Sequence, residues 1–508
     1  MINEKYNTIF VPLEEVYTHG GRSVFDGFSR KKNDEKNLIV LFSEIAEKLD
    51  PEKRKDSFKS EGGLDALNFL KESKSRIIEK GDNKIRYSFE GADILYLTSS
   101  EKSDSLDKKL LKKIKKEYNT DLKIITINPK EYIKYSSMGF EVGEPTFLMA
   151  SSDNVNEGVI LGNEELLSEL YTKNKVKLDV ASDILERELF PNQFIKFIGK
   201  NKFVYSKVIG DVIKNSDNTR IIKIENEYVG LLSNNDYEKK YNLGNLFFNN
   251  IFGVFPKDME QYLAVQYGVL NPNIEIAVIC GAQGSGKTLL GYTSAVKMIL
   301  NYGGEISKKM GISPEKESFF KKIVLLKPND MMGGKKRFEG YLPGSLWEKI
   351  NQHLNPFIDS HKESNLDEIS FNEMILHPRR DNEYGSKRKI DKVCGGYLPS
   401  KNEAIELTLS GYMRGRSFTD TLVLVDEAEN FTQYEMKTII SRLGIGSKCI
   451  IMGDPEQTDN PDCSININGL TGVIKHYLKN PKMSLMCLSK NYRLESAEQA
   501  ISWRVFGN

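Results

Sequence analysis

The sequence predicts a multi-domain α/β protein, on three observations. Its 508 residues, at roughly 100–200 residues per domain, make about three domains with separate cores. The continuous apolar runs IEIAVIC (274–280), KIVLLK (322–327), TLVLVDE (421–427) and KCIIMGD (448–454) suit strands buried on both faces of a parallel sheet. Segments with helical spacing separate such runs, and this alternation builds layered α/β folds.

In the N-terminal third, NTIFVPLEEVY (7–17) reads as a strand feeding a helix, followed by helical segments around 36–50 and 63–78. DILYL (93–97) reads as a buried strand. SLDKKLLKKIKKEY (105–118) has helical spacing, with Leu106, Leu110, Leu111 and Ile114 on one side. KIITIN (123–128) is a further strand, closed by Pro129. Beyond residue 146 the texture changes: FIKFIG, KFVYSKVIG, RIIKI and EYVGLL are short β-prone runs between Asn, Gly and Asp turns. The expected units are an α/β domain at 1–145, a β-rich connecting module at 146–240 and a second α/β domain at 241–508. Polar insertions at 303–318 and 360–402 interrupt the last, and HPRRDNEYGSKRK (377–389) reads as an exposed loop.

Composition narrows the function. The 39% hydrophobic and 28% charged fractions are those of an ordinary globular chain. No stretch approaches the roughly 18 apolar residues that span a bilayer, and MINEKYNTIF lacks a basic-then-apolar signal pattern. Five cysteines (Cys280, Cys394, Cys449, Cys463, Cys487) show no CxxC spacing, which fits a reducing compartment. The expected location is therefore the cytoplasm, with no membrane partner. Five histidines (His19, His353, His361, His377, His476) form no HExxH or HxH group. With 72 basic and 71 acidic residues, any nucleic-acid binding must come from a local patch.

The strongest chemical signal is Gly281-Ala282-Gln283-Gly284-Ser285-Gly286-Lys287-Thr288, which fits GxxxxGK[ST] between a strand and a helix. Glycines let backbone N–H groups curl around a phosphate, and the helix N-terminus adds its positive dipole end. Lys287 is placed to reach the β/γ-phosphates and the Thr288 hydroxyl to bind Mg²⁺. The competing reading, a chance glycine turn, does not account for the strand–loop–helix context. Asp426 and Glu427 end a buried strand; one carboxylate would sit on magnesium and the other orient or deprotonate water. Taken alone, either could simply cap a helix. Gly453-Asp454-Pro455-Glu456-Gln457 follows the next buried strand, and Gln457 could sense the γ-phosphate, against the plainer reading of a Pro-containing turn. Arg493, in Asn491-Tyr492-Arg493, is a candidate for charge neutralisation in the transition state or a plain surface arginine. Ligands sit at the carboxyl ends of strands in open α/β sheets, so these motifs would converge there.

These stretches, together with GVFPKDMEQYLAVQYGVL (253–270), GYLPGSLWEKINQHLNPFID (340–359), YMRGRSFTDTLVLVDEAEN (412–430), MKTIISRLGIGSKCIIMGDPEQTDNP (436–461) and NGLTGVIKHY (468–477), resemble the PhoH family of P-loop ATPases. The resemblance implies a RecA-like P-loop NTPase domain related to the first lobe of superfamily one helicases. It also implies ATP and Mg²⁺ as cofactors, Gln261 as an adenine contact, Asp426 and Glu427 as the Mg²⁺ and water pair, and Gln457 as a γ-phosphate sensor. Arg414 and Arg416 become candidates for a subunit or RNA surface. One departure is Lys327-Pro328, where the family pattern has Arg-Pro; the charge survives but bidentate phosphate geometry does not. The insertion at 360–402 is also longer than the family pattern.

The front of the chain resembles the long form of the family, in which a PIN-type RNase domain precedes the PhoH domain. FVPLEEVY, LDKKLLKKI, KIITINPKEYIKYSSMGFE and the joining segment ELFPNQFIKF carry that resemblance. Glu14 or Glu15 and Asp107 match acids of the PIN metal cluster, but the opening acidic strand is missing and Asn128 stands where an Asp is expected. Hard cations depend on anionic oxygen, so the expectation is a PIN-like domain without nuclease activity.

The leading functional reading is an ATPase coupled to movement on, or remodelling of, single-stranded RNA, an RNA helicase in the fullest case; the RNA step rests on the resemblance alone. A single RecA-like lobe leaves the ATP cleft open, so a neighbouring subunit is expected to complete it, in a homo-oligomeric ring. Two alternatives stand beside it: an ATP-switched binding scaffold without unwinding activity, and a PIN-type ribonuclease coupled to the ATPase. The lysine run at 108–116 reads as a solvated helix face more readily than as an RNA track.

Overall fold

The structure, a computed structural model, describes residues 6–29, 36–49, 61–81, 83–98, 108–150, 156–173, 175–198, 203–214, 220–231, 253–300, 320–328, 354–364, 405–409 and 416–493. Their strands form three sheets.

The first sheet is built from β1 (Ile9–Pro12), β2 (Asn37–Phe42), β3 (Ile77–Gly81), β4 (Lys84–Ser88), β5 (Ala92–Leu97), β6 (Leu122–Ile125) and β7 (Glu141–Gly143), in the order β3-β4-β5-β2-β1-β6-β7. The run from β5 to β7 is parallel, and β3-β4 forms an antiparallel hairpin on its edge. Helices α1 (Glu14–Gly20), α2 (Ser23–Gly27), α3 (Ser43–Leu49) and α4 (Glu61–Glu72) precede β5, while α5 (Lys108–Tyr118) and α6 (Pro129–Ser137) follow it. Chain direction across the sheet reverses at that point. Right-handed crossovers therefore place α1, α3 and α4 on one face and α5 and α6 on the other; α1, α3 and α4 do pack on one another.

Two sequence expectations are corrected in this part. The segment expected to be helical around 36–50 is a fully buried central strand, β2, followed directly by α3. Asn37-Leu38-Ile39-Val40-Leu41-Phe42 is apolar on both sides after its first residue, and β5 and β1 cover its two edges. The segment 63–78 is α-helical as far as Glu72, makes a short 3-10 turn at Lys74–Arg76 and then enters β3.

The second sheet has the order β8-β10-β11-β12-β9, from β8 (Val159–Leu161), β9 (Lys175–Lys177), β10 (Phe194–Ile198), β11 (Phe203–Lys214) and β12 (Arg220–Leu231). RIIKI and EYVGLL are two ends of one strand, β12. Helices α7 (Glu164–Lys173) and α8 (Leu178–Ile184) were not expected; Leu166, Leu170 and Ala181 bury them against Ile195 and Phe197.

The third sheet is entirely parallel, in the order β15-β14-β16-β17-β13-β18. Its strands are β13 (Ile276–Gly281), β14 (Lys322–Lys327), β15 (Ile405–Leu409), β16 (Thr421–Val425), β17 (Lys448–Gly453) and β18 (Met483–Leu488). β13, β16 and β17 are buried along their whole length, as the continuous apolar runs require. One face is covered by helix Lys287–Leu300 and the turn Ala264–Val269, the other by helices Gln433–Ile440 and Gly469–Tyr477. β17 separates β13 from β16, so the strand before the glycine loop and the strand before the acids flank a common neighbour. This is the arrangement of a RecA-like P-loop fold.

The first and third sheets share an interface. Helix α1 lies against helix Gln433–Ile440, and Ile467 is buried within the first sheet's core. His19 is the polar centre of that contact. Its Nδ1 accepts the Gln433 backbone N–H at 3.1 Å, so Nε2 carries the proton and donates to the Asp462 carbonyl at 2.6 Å. The Gln433 side chain donates to the Leu148 carbonyl at 2.8 Å, and the Lys475 ammonium donates to the carbonyls of Phe147 (2.6 Å) and Met149 (2.8 Å).

Burial holds the His19 pKa down, from 6.5 to about 4, although its bond to the Asp462 carbonyl pulls the other way. A pKa depressed by folding means that the neutral ring is the stabilising form. Its contribution is complete above pH 6.5 and is lost as pH falls towards 4. Buried Glu15 nearby, raised to about 6 by burial, has the opposite slope, so the comparison must be with His19→Gln. The fall in melting temperature between pH 6.5 and 4.5 should be several degrees steeper in the wild type than in that variant; equal slopes would reject this role for His19.

Candidate active site at the carboxyl edge of the parallel sheet

Because all six strands of the third sheet run the same way, the segments that leave β13, β14, β16, β17 and β18 emerge on one edge. β13 ends at Gly281, whose φ is +146°, and the loop turns through Gly284 (+87°) and Gly286 (+89°) before helix Lys287–Leu300 begins. A Cβ at Gly284 would stand 2.4 Å from Asn491 Oδ1 and 2.8 Å from Arg493 Cγ. The Gly284 carbonyl accepts the Tyr492 N–H at 3.1 Å. The Asn491-Tyr492-Arg493 segment thus lies directly on the loop, with the Arg493 side chain beside Gly284.

The loop is braced from below by Gln261. Its amide nitrogen donates to the Ser285 carbonyl at 2.8 Å and its amide oxygen accepts the Lys257 N–H at 2.7 Å, while its own N–H is capped by Asp258 at 2.8 Å. Both ends of this buried amide are engaged within the chain. Lys287 Nζ donates to the carbonyls of Gly281 and, at 3.0 Å, Ala282, so the ammonium is folded back onto the loop that begins the helix. Ser285 is fully buried and its Oγ has no hydrogen-bond partner. Ala282 and Gln283 form the exposed rim.

The acid pair leaves β16. Thr288 Oγ1 donates to Asp426 Oδ1 at 3.3 Å, joining the glycine loop to the acids. Asp426 Oδ2 faces the Lys327 ammonium at 2.8 Å, and Lys327 also meets Glu427 Oε1 at 2.9 Å. Lys327 is buried at the end of β14. Burial pulls its pKa down, but the charges of Asp426 and then Glu427 outweigh this and leave it above the ordinary lysine value. Glu427 sits in the left-handed region, at φ 55° and ψ 45°, a conformation that costs a non-glycine residue of order 1–3 kcal/mol.

Behind the acids, the turn Ala428–Asn430 ties this edge to the β17 loop. Buried Glu429 accepts the Asp454 N–H at 3.0 Å. Burial, with the charges of Asp426 and Glu427 adding, pushes its pKa up to about 8 against its backbone hydrogen bonds. Gln457 donates to Asp454 Oδ2 at 2.5 Å and its N–H bonds the Asp454 carbonyl at 3.0 Å. Asn430 Oδ1 accepts the N–H groups of Asp459 (2.8 Å) and Asn460 (3.2 Å), and Asn460 Nδ2 returns a bond to the Asn430 carbonyl.

The edge therefore gathers Gly281–Thr288, Asp426, Glu427, Gln457 and Arg493, with Gln261 under the loop. The donor set fits a nucleotide phosphate and a magnesium ion. Three glycines in positive-φ conformations open the backbone, an ammonium and a helix N-terminus supply positive charge, and an unpartnered serine hydroxyl lies in the loop. A hydroxyl and a carboxylate stand side by side as hard oxygen ligands. Sequence reasoning noted Lys327 only as a departure from Arg-Pro; its ammonium pairs with the acids. It also missed Asn430, whose only sequence signal is its place three residues after Glu427.

Other singled-out residues lie elsewhere. Arg416 is committed to a partly buried pair with Glu406, at 2.9 Å from Nη2 to Oε2; Arg414 and Asp107 lie outside the described residues. In the first sheet, Glu15 accepts from Thr126, and Asn128 caps α6 by accepting the Lys130 N–H at 3.0 Å. Among the described residues no group of three or more His, Cys, Asp or Glu side chains could hold a metal ion, and no helix is long and apolar enough to cross a membrane.

The six-stranded parallel sheet, its glycine loop and the adjoining acids define a P-loop NTPase. Residues 254–500, just under half of the chain, match the family described as "PhoH-like protein", so this segment is a PhoH-family domain. The chain is 26% identical to Protein PhoH2 of Bacillus subtilis over 66% of this chain and 61% of that protein. It is 25% identical to the PhoH-like protein of the same organism, over 69% and 76%, and 29% identical to the PhoH-like protein of Synechocystis, over 37% and 44%. The chain thus spans less than two thirds of the first and last of these relatives. A solved structure described as "The structure of PRRSV helicase" aligns at 12% identity, over 64% of this chain and 48% of that one, with a TM-score of 0.19. A superposition that loose carries no argument.

The glycine geometry gives a direct check. Gly284→Ala must strain a positive-φ residue and drive a methyl into Asn491 and Arg493. It should weaken nucleotide binding about tenfold or more, on the scale of backbone strain of order 1–3 kcal/mol, as measured by titration with a fluorescent ATP analogue. Wild-type affinity would contradict the described loop.

Proposed function

We propose that the protein is a cytoplasmic Mg²⁺-dependent ATPase whose hydrolysis is coupled to single-stranded RNA. The observation that carries the ATPase reading is the 3.3 Å contact between Thr288 and Asp426, which joins the phosphate loop and the acid pair in one cleft. Backbone N–H groups of residues 282–288 and the Lys287 side chain would hold the phosphates, and Thr288 and Asp426 the magnesium. When bound, the ion supplies charge neutralisation at the phosphates. Glu427, with one carboxylate oxygen facing out, would orient or deprotonate the attacking water. Gln457 would read the γ-phosphate, and Arg493, beside Gly284, would neutralise charge as it develops. Gln261 supports the loop with both ends of its amide, so the adenine contact implied by the family resemblance would require one of those bonds to open.

The RNA step draws support from family membership and from one surface. Helix α5 exposes Lys108, Lys109, Lys112, Lys113, Lys115 and Lys116, on the face of the first sheet opposite α1, which a polyanion would find attractive. A homo-oligomeric ring, with a neighbour closing the cleft, belongs to the same proposal; turnover per subunit should then rise with protein concentration as measured mass increases.

A second reading, an ATP-switched scaffold, is favoured by a specific chain of bonds. Asn430 links the acids to Asn460, and two residues later the Asp462 carbonyl holds His19 of α1. Rearrangement at the acids would reach the first sheet directly, with no RNA required.

Three measurements test these readings. Lys287→Ala should weaken ATP binding about tenfold or more, as expected for a lost charge-assisted phosphate contact. Glu427→Gln should bind ATP normally and turn over about a hundredfold more slowly, the scale of a lost general base or water-positioning group; unchanged turnover would reject that assignment. Single-stranded RNA should raise the ATPase rate, and 5′- or 3′-tailed duplexes should be unwound with ATP. RNA-insensitive turnover would instead favour the scaffold.

A further inference from the structure

Two carboxylates that follow one another at the end of a buried strand repel, and the repulsion is strong where water is scarce. The first of them, Asp426, is buried. Asp426 needs a counter-charge whether or not a metal is bound, and half-exposed Glu427 beside it adds to the repulsion. The Thr288 hydroxyl meets Asp426 Oδ1 but carries no charge. The ammonium that meets both acids belongs to Lys327, which closes the neighbouring strand β14 in register with β16, Leu326 opposite Val425. Its side chain is buried and its Nζ lies 5.6 Å from the centre of the Phe357 ring, so packing as well as charge holds the ammonium.

The division of contacts is specific. Asp426 turns Oδ1 to Thr288 and Oδ2 to Lys327, so a cation entering on the Thr288 side need not displace the lysine. Glu427 gives Oε1 to Lys327 and leaves Oε2 without a hydrogen bond among the described residues. The Glu427 side chain is 49% exposed on a left-handed backbone, and Lys327 is its polar anchor among the described residues. Without it, a half-exposed glutamate would sample several rotamers.

We propose that Lys327 is a positioning residue for hydrolysis: it clamps Oε1 of Glu427 so that Oε2 faces the site of attack, and it balances the acid pair so that both stay in place with or without magnesium. This rests on the ATPase reading above. It assigns Lys327 no contact with phosphate, which separates it from Lys287.

The test uses the full-length protein and K327M, which keeps the length of the side chain and removes the charge. Maximal turnover should fall about thirtyfold or more, the scale of one lost preorganised contact, while KM for ATP stays within about twofold. Magnesium should move the other way. With one positive charge gone from beside Asp426, half-saturation of a bound fluorescent ATP analogue should need about fivefold less Mg²⁺, a readout independent of turnover. General damage to the site would weaken both. K327R, which restores a cation, should recover most of the rate. In an E427Q background K327M should cost little more, because the lysine acts through the glutamate.

If the wild type hydrolyses ATP and K327M matches it in maximal rate and Mg²⁺ requirement, the proposal is overturned and the ATPase reading stands. If the wild type binds nucleotide without hydrolysing it, the ATPase reading fails, and the Mg²⁺ titration still decides whether Lys327 balances the acids. Should K327M not purify folded, K327Q gives the same two readouts, and wild-type values there also overturn the proposal.

Discussion

Negative charge gathered at the end of a buried strand is the constraint around which the third sheet is arranged. Asp426 and Glu427 follow β16, and Glu429 is buried just behind them. A carboxylate taken out of water must be paired, hydrogen-bonded or protonated, and the three acids illustrate three solutions. Asp426 is paired and hydrogen-bonded. Glu427 is paired on one oxygen and otherwise reaches water. Glu429, whose pKa burial pushes up to about 8, is shifted towards its neutral form and accepts a bond from the backbone of the next loop. The strand order meets the same need: β14 adjoins β16 and brings Lys327, and β13 lies near enough for Thr288 to arrive from its helix.

The loop after β17 turns this local arrangement into a connection between sheets. Asn430 holds that loop at Asp459 and Asn460, and the loop continues to Asp462, Asn466 and Ile467. The Asp462 carbonyl meets His19, the Asn466 carbonyl accepts the Ala150 N–H at 3.0 Å, and Ile467 enters the first sheet's core. The path from acid pair to α1 is thus a few short segments joined by hydrogen bonds between side chains and backbone.

What could be read from the sequence depended on whether the signal was contiguous. The glycine loop is a single run whose spacing encodes its own geometry, and the buried strands of the third sheet announce themselves because both faces are apolar. Strand β2 was hidden because Phe42 passes into Ser43 of α3 with no glycine or proline between them, so strand and helix blur into one apolar segment. Strand β15 was missed because it is short and lies just beyond a long polar insertion. Lys327 was noticed, but its partners are Asp426 and Glu427, far along the chain, and only the strand order brings them together. The clip at His19 left no trace at all, because its partners are a backbone N–H and a backbone carbonyl, which every residue possesses.

The interface between the first and third sheets bears on how the protein can be divided for study. Helix Gly469–Tyr477 and the segment before it present Ile467, buried to 1% exposure, and the Lys475 ammonium, spent on two carbonyls of residues 147 and 149. A fragment cut to the PhoH portion alone would bare that isoleucine to solvent and strip the ammonium of its acceptors, while Gln433 would lose both of its cross-interface bonds. Such a fragment would carry a newly made sticky face of apolar and unsatisfied polar groups, and self-association in vitro could then be an artefact of the cut rather than a property of the intact chain.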